Sequence, residues 1–195
     1  MMQHRHFKLY KPAGYLSQFV NHQNRRKNKK LLGELGKFPD GTMAIGRLDE
    51  NSEGLILLTT DGQVSEKVRS KKVQKEYLAQ VDGIINSNAI QALKEGVEIS
   101  VNGTKYRTLP AQVFKLRTDP IVSPSPRGER DVNRATSWIS ITINEGKFRQ
   151  VRKMTAAVGF PTLRLIRTRI GGERLAEMQP GDVEEVNSFT LESRE

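Results

Sequence analysis

The stretch Gly46-Arg47-Leu48-Asp49-Glu50-Asn51-Ser52-Glu53-Gly54-Leu55-Ile56-Leu57-Leu58-Thr59-Thr60-Asp61-Gly62 joins a polar, carboxylate-rich loop to a continuous apolar run. Leu55 to Thr60 is β-prone and lacks polar/apolar alternation, as expected of a strand covered on both faces, and Asp61-Gly62 stops it. This run is the expected centre of the sheet. Upstream, His6-Phe7-Lys8-Leu9-Tyr10 alternates and reads as a half-buried strand, ended by the breakers of Lys11-Pro12-Ala13-Gly14. Downstream, Gln63 to Ser70 and Asn88 to Val97 read as short helices, the second capped by Ser87 or Asn88. Glu76 to Val81 and Trp138 to Ile143 read as further strands. Hairpin-like turns outnumber crossover units, so the pattern predicts an α+β fold with a mixed, mostly antiparallel sheet and flanking helices.

The chain has 195 residues and 36% hydrophobic content, enough for one good-sized core or two small ones sharing a sheet. One compact catalytic unit over 1–195 is the expected organisation. No run of eighteen apolar residues occurs, and Met1 to His6 lacks the apolar stretch of a signal peptide, so a cytoplasmic protein without membrane contact is expected. Cysteine is absent and His4, His6 and His22 are scattered, which argues against a disulfide framework or a metal cluster.

Against 22 Asp+Glu stand 32 Lys+Arg, a net charge of +10 that favours polyanionic partners, nucleic acid first. The excess is concentrated. Asn21 to Lys30 carries Arg25, Arg26, Lys27, Lys29 and Lys30 with no carboxylate between them, and Thr118 to Ser137 combines three prolines with Arg127, Arg130 and Arg134. Both read as basic loops, the second extended and mobile.

The stretch from Gly46 to Gly62 closely resembles the signature G-R-L-D-x-x-S-E-G-L-L-L-L-T-N-D-G of bacterial rRNA pseudouridine synthases of the RsuA-like branch. Three more segments are similar to that family in the same order: Lys11-Pro12-Ala13-Gly14, Lys75-Glu76-Tyr77, and Gly146-Lys147-Phe148-Arg149-Gln150-Val151-Arg152-Lys153-Met154. The resemblance covers about residues 7 to 170. Within the branch, Leu16-Ser17-Gln18-Phe19 and Thr155 to Arg167 are most like the E-type large-subunit (23S) synthases. Many members carry an N-terminal S4 RNA-binding domain, whereas here the catalytic signature begins after six residues. The resemblance implies a single catalytic domain made of two sub-domains sharing one sheet, with a central active-site cleft, and RNA affinity is therefore expected from this catalytic body.

The resemblance implies that Asp49 is the catalytic carboxylate, Tyr77 the active-site tyrosine and Arg152 its cationic companion. Isomerising uridine breaks the glycosidic bond at C1′, turns the base and joins C5 to C1′. A carboxylate serves either as a nucleophile toward C1′ or as a base toward the C2′ proton, and both routes stay open. No redox change or external nucleophile is involved, so neither metal nor organic cofactor is expected. Desolvation would raise the pKa of Asp49 and a nearby arginine lower it by comparable amounts, which makes Arg152 useful for keeping it ionised. Tyr77 could stack on the flipped uracil and assist loss of the C5 proton.

Arg47, Lys75, Lys11, Arg25, Arg26, Lys27, Arg149 and Lys153 are the expected RNA contacts. On a helical wheel Phe148, Val151, Met154 and Val158 share a buried arc opposite Arg149, Arg152 and Lys153. The expected partner is large-subunit rRNA, met by a monomer.

Plainer roles compete. Asp49 is also a natural turn or cap residue before a buried strand. Tyr77 is also ordinary sheet packing, Leu165 also a core leucine, and Lys75 also surface charge. Two rival functions remain: a non-catalytic RNA-binding or ribosome-assembly protein on the same fold, and an RNA N-glycosidase using Asp49 and Glu53 as an acid/base pair.

Overall fold

The computed structural model describes residues 4–20, 28–70, 73–124 and 134–191. In order along the chain run β1 (His6–Lys11), β2 (Tyr15–Leu16), β3 (Lys30–Leu31), a 3₁₀ turn (Leu32–Leu35), β4 (Met43–Ile45), β5 (Glu53–Thr59) and α1 (Gly62–Arg69). There follow β6 (Lys75–Asp82), α2 (Ser87–Glu95), β7 (Glu98–Val101), β8 (Thr104–Arg107), β9 (Gln112–Lys115) and β10 (Thr136–Ile143). The chain continues through α3 (Gln150–Ala157), β11 (Thr162–Ile170), β12 (Glu173–Arg174) and β13 (Val183–Val186). The architecture is α+β, and the chain divides into two compact units, residues 1–73 with 167–195 and residues 74–166.

In the first unit β1 lies between β5 and β13, antiparallel to both, with His6 opposite Thr59 and Lys11 opposite Gly54. All seven residues of β5 are buried, matching the unbroken apolar run. Phe7 and Leu9 pack with Leu32, Ile56 and Leu58, and the Phe38 ring meets those of Phe7 and Phe19 edge-on at 5.5 and 5.3 Å. The first strand differs from its sequence reading. It extends through Lys11 and is buried on both faces rather than half-buried: Phe7 and Leu9 lie in an apolar cluster, and the His6 ring, on the alternate face, packs against Phe189. Alternation in sequence marks a half-buried strand only when the polar face meets water.

In the second unit β10 pairs antiparallel with β6 and β9, with Ile141 opposite Tyr77. Ile139, Ile141, Ala79, Val81, Leu93, Val113, Met154 and Leu165 form its core. The cap of α2 is Asn86, one residue before the expected Ser87 or Asn88; its side chain accepts the Ala89 N–H at 2.9 Å. Asparagine, serine and asparagine in succession offer three caps, and the first closes the turn.

Candidate active site

Asp49 sits half-buried on a loop whose two neighbours in sequence are both tied down. Before it, Leu48 is buried, its N–H donates to the Ser17 hydroxyl oxygen at 2.9 Å, and that hydroxyl donates back to the Leu48 carbonyl at 2.7 Å. After it, the Glu50 carbonyl accepts the Gly14 N–H at 2.7 Å and the Lys11 ammonium at 3.2 Å, while the Glu50 carboxylate pairs with Lys29 at 2.5 Å. The Asp49 carbonyl accepts the Ser52 N–H at 2.9 Å. Gly46, at φ +71°, turns the chain into this loop. The backbone on either side of the carboxylate is thus fixed by contacts from Ser17, Lys11 and Gly14.

Lys11 corrects one expectation. Its side chain is 0% exposed, and its ammonium donates to the carbonyls of Pro12 (2.9 Å), Tyr15 (2.8 Å) and Glu50. All three N–H donors are used on main chain, which leaves none for an RNA phosphate. The lysine instead pins Lys11-Pro12-Ala13-Gly14 to the loop of Asp49. Burial pushes its pKa down from the ordinary 10.5 to about 8, and the opposing pull comes from Glu53 first, then Asp49 and Glu50.

Between pH 8 and 10.5 the unfolded chain therefore holds more of this proton than the folded one. The penalty for burying the ammonium is complete below pH 8 and is relieved as pH rises through that window, an interval worth about 3 kcal/mol. Denaturant unfolding of wild type and Lys11→Met at pH 7, 9 and 10.5 tests this. The variant should be less stable at pH 7 by about 1–3 kcal/mol, from three carbonyls left without a donor, and the gap should widen with pH. A gap that is constant or shrinks would show that Lys11 is not desolvated in this way.

Arg47 is exposed, two residues before Asp49, as a phosphate contact would need. Glu53, by contrast, is 3% exposed in β5, and of the nearby carboxylates it does most to hold the Lys11 ammonium charged. A carboxylate buried to this degree has little access to a leaving base.

The remaining expected residues lie in the second unit. Tyr77 is half-buried in β6 and packs against the core, so its plainer role as sheet packing is realised in the structure. Lys75 begins the same strand, half-buried, opposite Ile143. Arg152, half-buried on α3, donates to the Thr162 carbonyl at 3.4 Å, and Lys153 donates to the Ser100 carbonyl at 2.7 Å. Arg149 is exposed and stands just before α3 in the left-handed region, φ 54°. Phe148 is a second correction: it is 67% exposed rather than on the buried arc, because the helix begins only at Gln150. Arg25, Arg26 and Lys27, with Arg127 and Arg130, lie outside the described residues. Arg134 does not stand as an isolated cation, since its guanidinium grips Asp82 through two hydrogen bonds.

Sequence reasoning missed Arg167, 5% exposed, whose Nε donates to the Leu55 carbonyl at 2.7 Å and whose charge opposes that of Lys11. The signal was present: Arg164, Arg167 and Arg169 interrupt the otherwise β-prone run of Thr162 to Ile170, and all three are buried.

An α+β chain with a half-buried carboxylate on a loop held from both sides, and with a strong excess of cations, has the features of an enzyme acting on a polyanion. Residues 5–157 match the family model of RNA pseudouridylate synthase, and the chain belongs to that family. It is 42% identical over 178 residues to the ribosomal large subunit pseudouridine synthase E of Xanthomonas campestris pv. campestris, covering 89% of this chain and 90% of the relative. The synthase of the same name from Vibrio parahaemolyticus is 40% identical, covering 90% of this chain and 71% of the relative. A crystal structure of a pseudouridylate synthase superposes with a TM-score of 0.74 at 27% identity, covering 95% of this chain and 71% of that one.

Proposed function

We propose that this protein isomerises a uridine of large-subunit (23S) rRNA to pseudouridine, with Asp49 as the carboxylate that acts on the sugar. The single observation that carries the reading is the pinned loop: Asp49 is half-exposed while Leu48 and Glu50 are fixed by Ser17, Lys11 and Gly14. A nucleophile or base gains most of its effect from being held in place before the substrate arrives. In the reaction the N1–C1′ bond breaks, the base turns, and C5 bonds to C1′; C5 then gives up its proton and N1 gains one. Tyr77 stacks on the turned base and helps remove the C5 proton, and Arg152 favours the ionised form of Asp49. Arg47, Arg149, Lys153 and the basic segment of Arg25, Arg26 and Lys27 hold the backbone of the RNA, and Lys75 joins them. The protein works as a monomer in the cytoplasm.

The test is tritium release from large-subunit rRNA carrying 5-³H-uridine, with the modified position then mapped. Stoichiometric release with pseudouridine at one site is the expected result. Free uracil would instead indicate an N-glycosidase, a reading that the burial of Glu53 disfavours. RNA binding with neither product would leave a non-catalytic assembly protein.

A further inference from the structure

Between β10 and α3 the chain makes a turn whose interior is unusually well fastened. Glu145 is 3% exposed, and its carboxylate accepts the Leu109 N–H at 2.8 Å, the Gln150 side-chain amide at 2.7 Å and the Tyr106 hydroxyl. Gln150 in turn accepts the Lys147 N–H at 2.9 Å and donates its own N–H to the Lys147 carbonyl at 3.0 Å. The negative charge of the turn is thus spent inside, on three donors. The charged groups left toward solvent are cationic, and beside them stands a large apolar side chain, Phe148, 67% exposed.

One lysine stands over this ring, and the lysine that precedes Phe148 in sequence stands over a neighbouring one. The Lys153 ammonium lies 5.4 Å from the Phe148 ring centroid while donating to the Ser100 carbonyl, and the Lys147 ammonium lies 4.7 Å from the Tyr106 ring. Arg149, exposed and adjacent, adds a third positive charge. An aromatic ring with an open face on a fixed turn loses little conformational freedom when something stacks on it, and cations at its rim match the phosphates on either side of a base. A protein partner would be better served by apolar neighbours around the ring.

We propose that Phe148 is a stacking platform for one unpaired base of the RNA, with Lys147 and Arg149 on the flanking phosphates and Lys153 bracing the ring. The inference rests on RNA being the substrate and adds a contact to a base other than the isomerised uridine. A duplex offers no free base face, so the contact selects single-stranded or bulged RNA.

The experiment measures binding of the full chain to a short oligouridylate and to the matching A–U duplex, for wild type, Phe148→Ala, Phe148→Leu and Phe148→Trp. Loss of one stacked base should weaken the single strand roughly tenfold in the Ala and Leu variants, leave the duplex unaffected, and leave the salt slope unchanged because no phosphate contact is removed. Phe148→Trp should bind at least as well as wild type, and its emission should be quenched by the oligouridylate; the native Trp138 is 5% exposed and should respond little. Wild-type affinity in the Ala and Leu variants, or unquenched emission in the Trp variant, would overturn the proposal. Neither readout needs turnover. Failure of tritium release by wild type would sink the isomerase reading while the stacking result stood.

Discussion

Asp49→Asn should lose isomerase activity by at least ~10³-fold while folding normally and binding RNA within a few-fold of wild type. The amide keeps the size and shape of the carboxylate, and the contacts that set the loop come from Ser17, Lys11, Gly14 and Lys29 to main chain and to Glu50, none of which involves the Asp49 side chain. The substitution therefore removes the negative charge and keeps these contacts. An amide can neither attack C1′ nor accept the C2′ proton, so both routes fail together. Single-turnover tritium release at saturating RNA, alongside filter binding and a thermal melt, separates chemistry from affinity and folding. Activity within tenfold of wild type would remove Asp49 from the mechanism and favour the non-catalytic reading.

Much of this site was legible in the sequence because its parts are local. Leu55 to Thr59 is buried on every residue, and an unbroken apolar run of that length has few other uses. Asp49 stands in a signature long enough to be specific. The errors fall where the decisive contact comes from far along the chain or depends on a boundary. Lys11 beside Pro12 and Gly14 looks like a surface cation at a turn; it is buried because the Glu50 carbonyl, 39 positions away, supplies its third acceptor. Phe148 fits a helical wheel, but the wheel applies only from Gln150 onward, since Arg149 is left-handed and stops the helix from extending backward. The burial of Arg167 is likewise non-local, because its acceptor is the Leu55 carbonyl, 112 positions distant.

Gly54→Ala should be the most destabilising single-methyl change in the first unit, lowering stability by at least ~3 kcal/mol. Gly54 sits opposite Lys11 in the strand pairing, at φ +107°, where a residue with a Cβ is strained before any neighbour is considered. The neighbours are worse. An added Cβ would stand 2.2 Å from the Arg167 carbonyl oxygen and 2.6 Å from the Arg167 nitrogen, and both are main-chain atoms that cannot swing aside as a side-chain tip can. Moving that backbone would pull on Arg167, whose Nε holds the Leu55 carbonyl, and would shift the strand that carries Lys11. The glycine so placed in the signature lets two backbones approach closely, five residues after Asp49 in the chain. Urea unfolding of Gly54→Ala should show a lower midpoint with the slope kept, and Gly62→Ala serves as the control: its added methyl meets nothing within 4 Å at the start of α1, so it should be neutral or mildly stabilising. A loss under ~1 kcal/mol at Gly54 would mean that the strand bearing Arg167 yields easily, and that the close approach is not what requires glycine at this position.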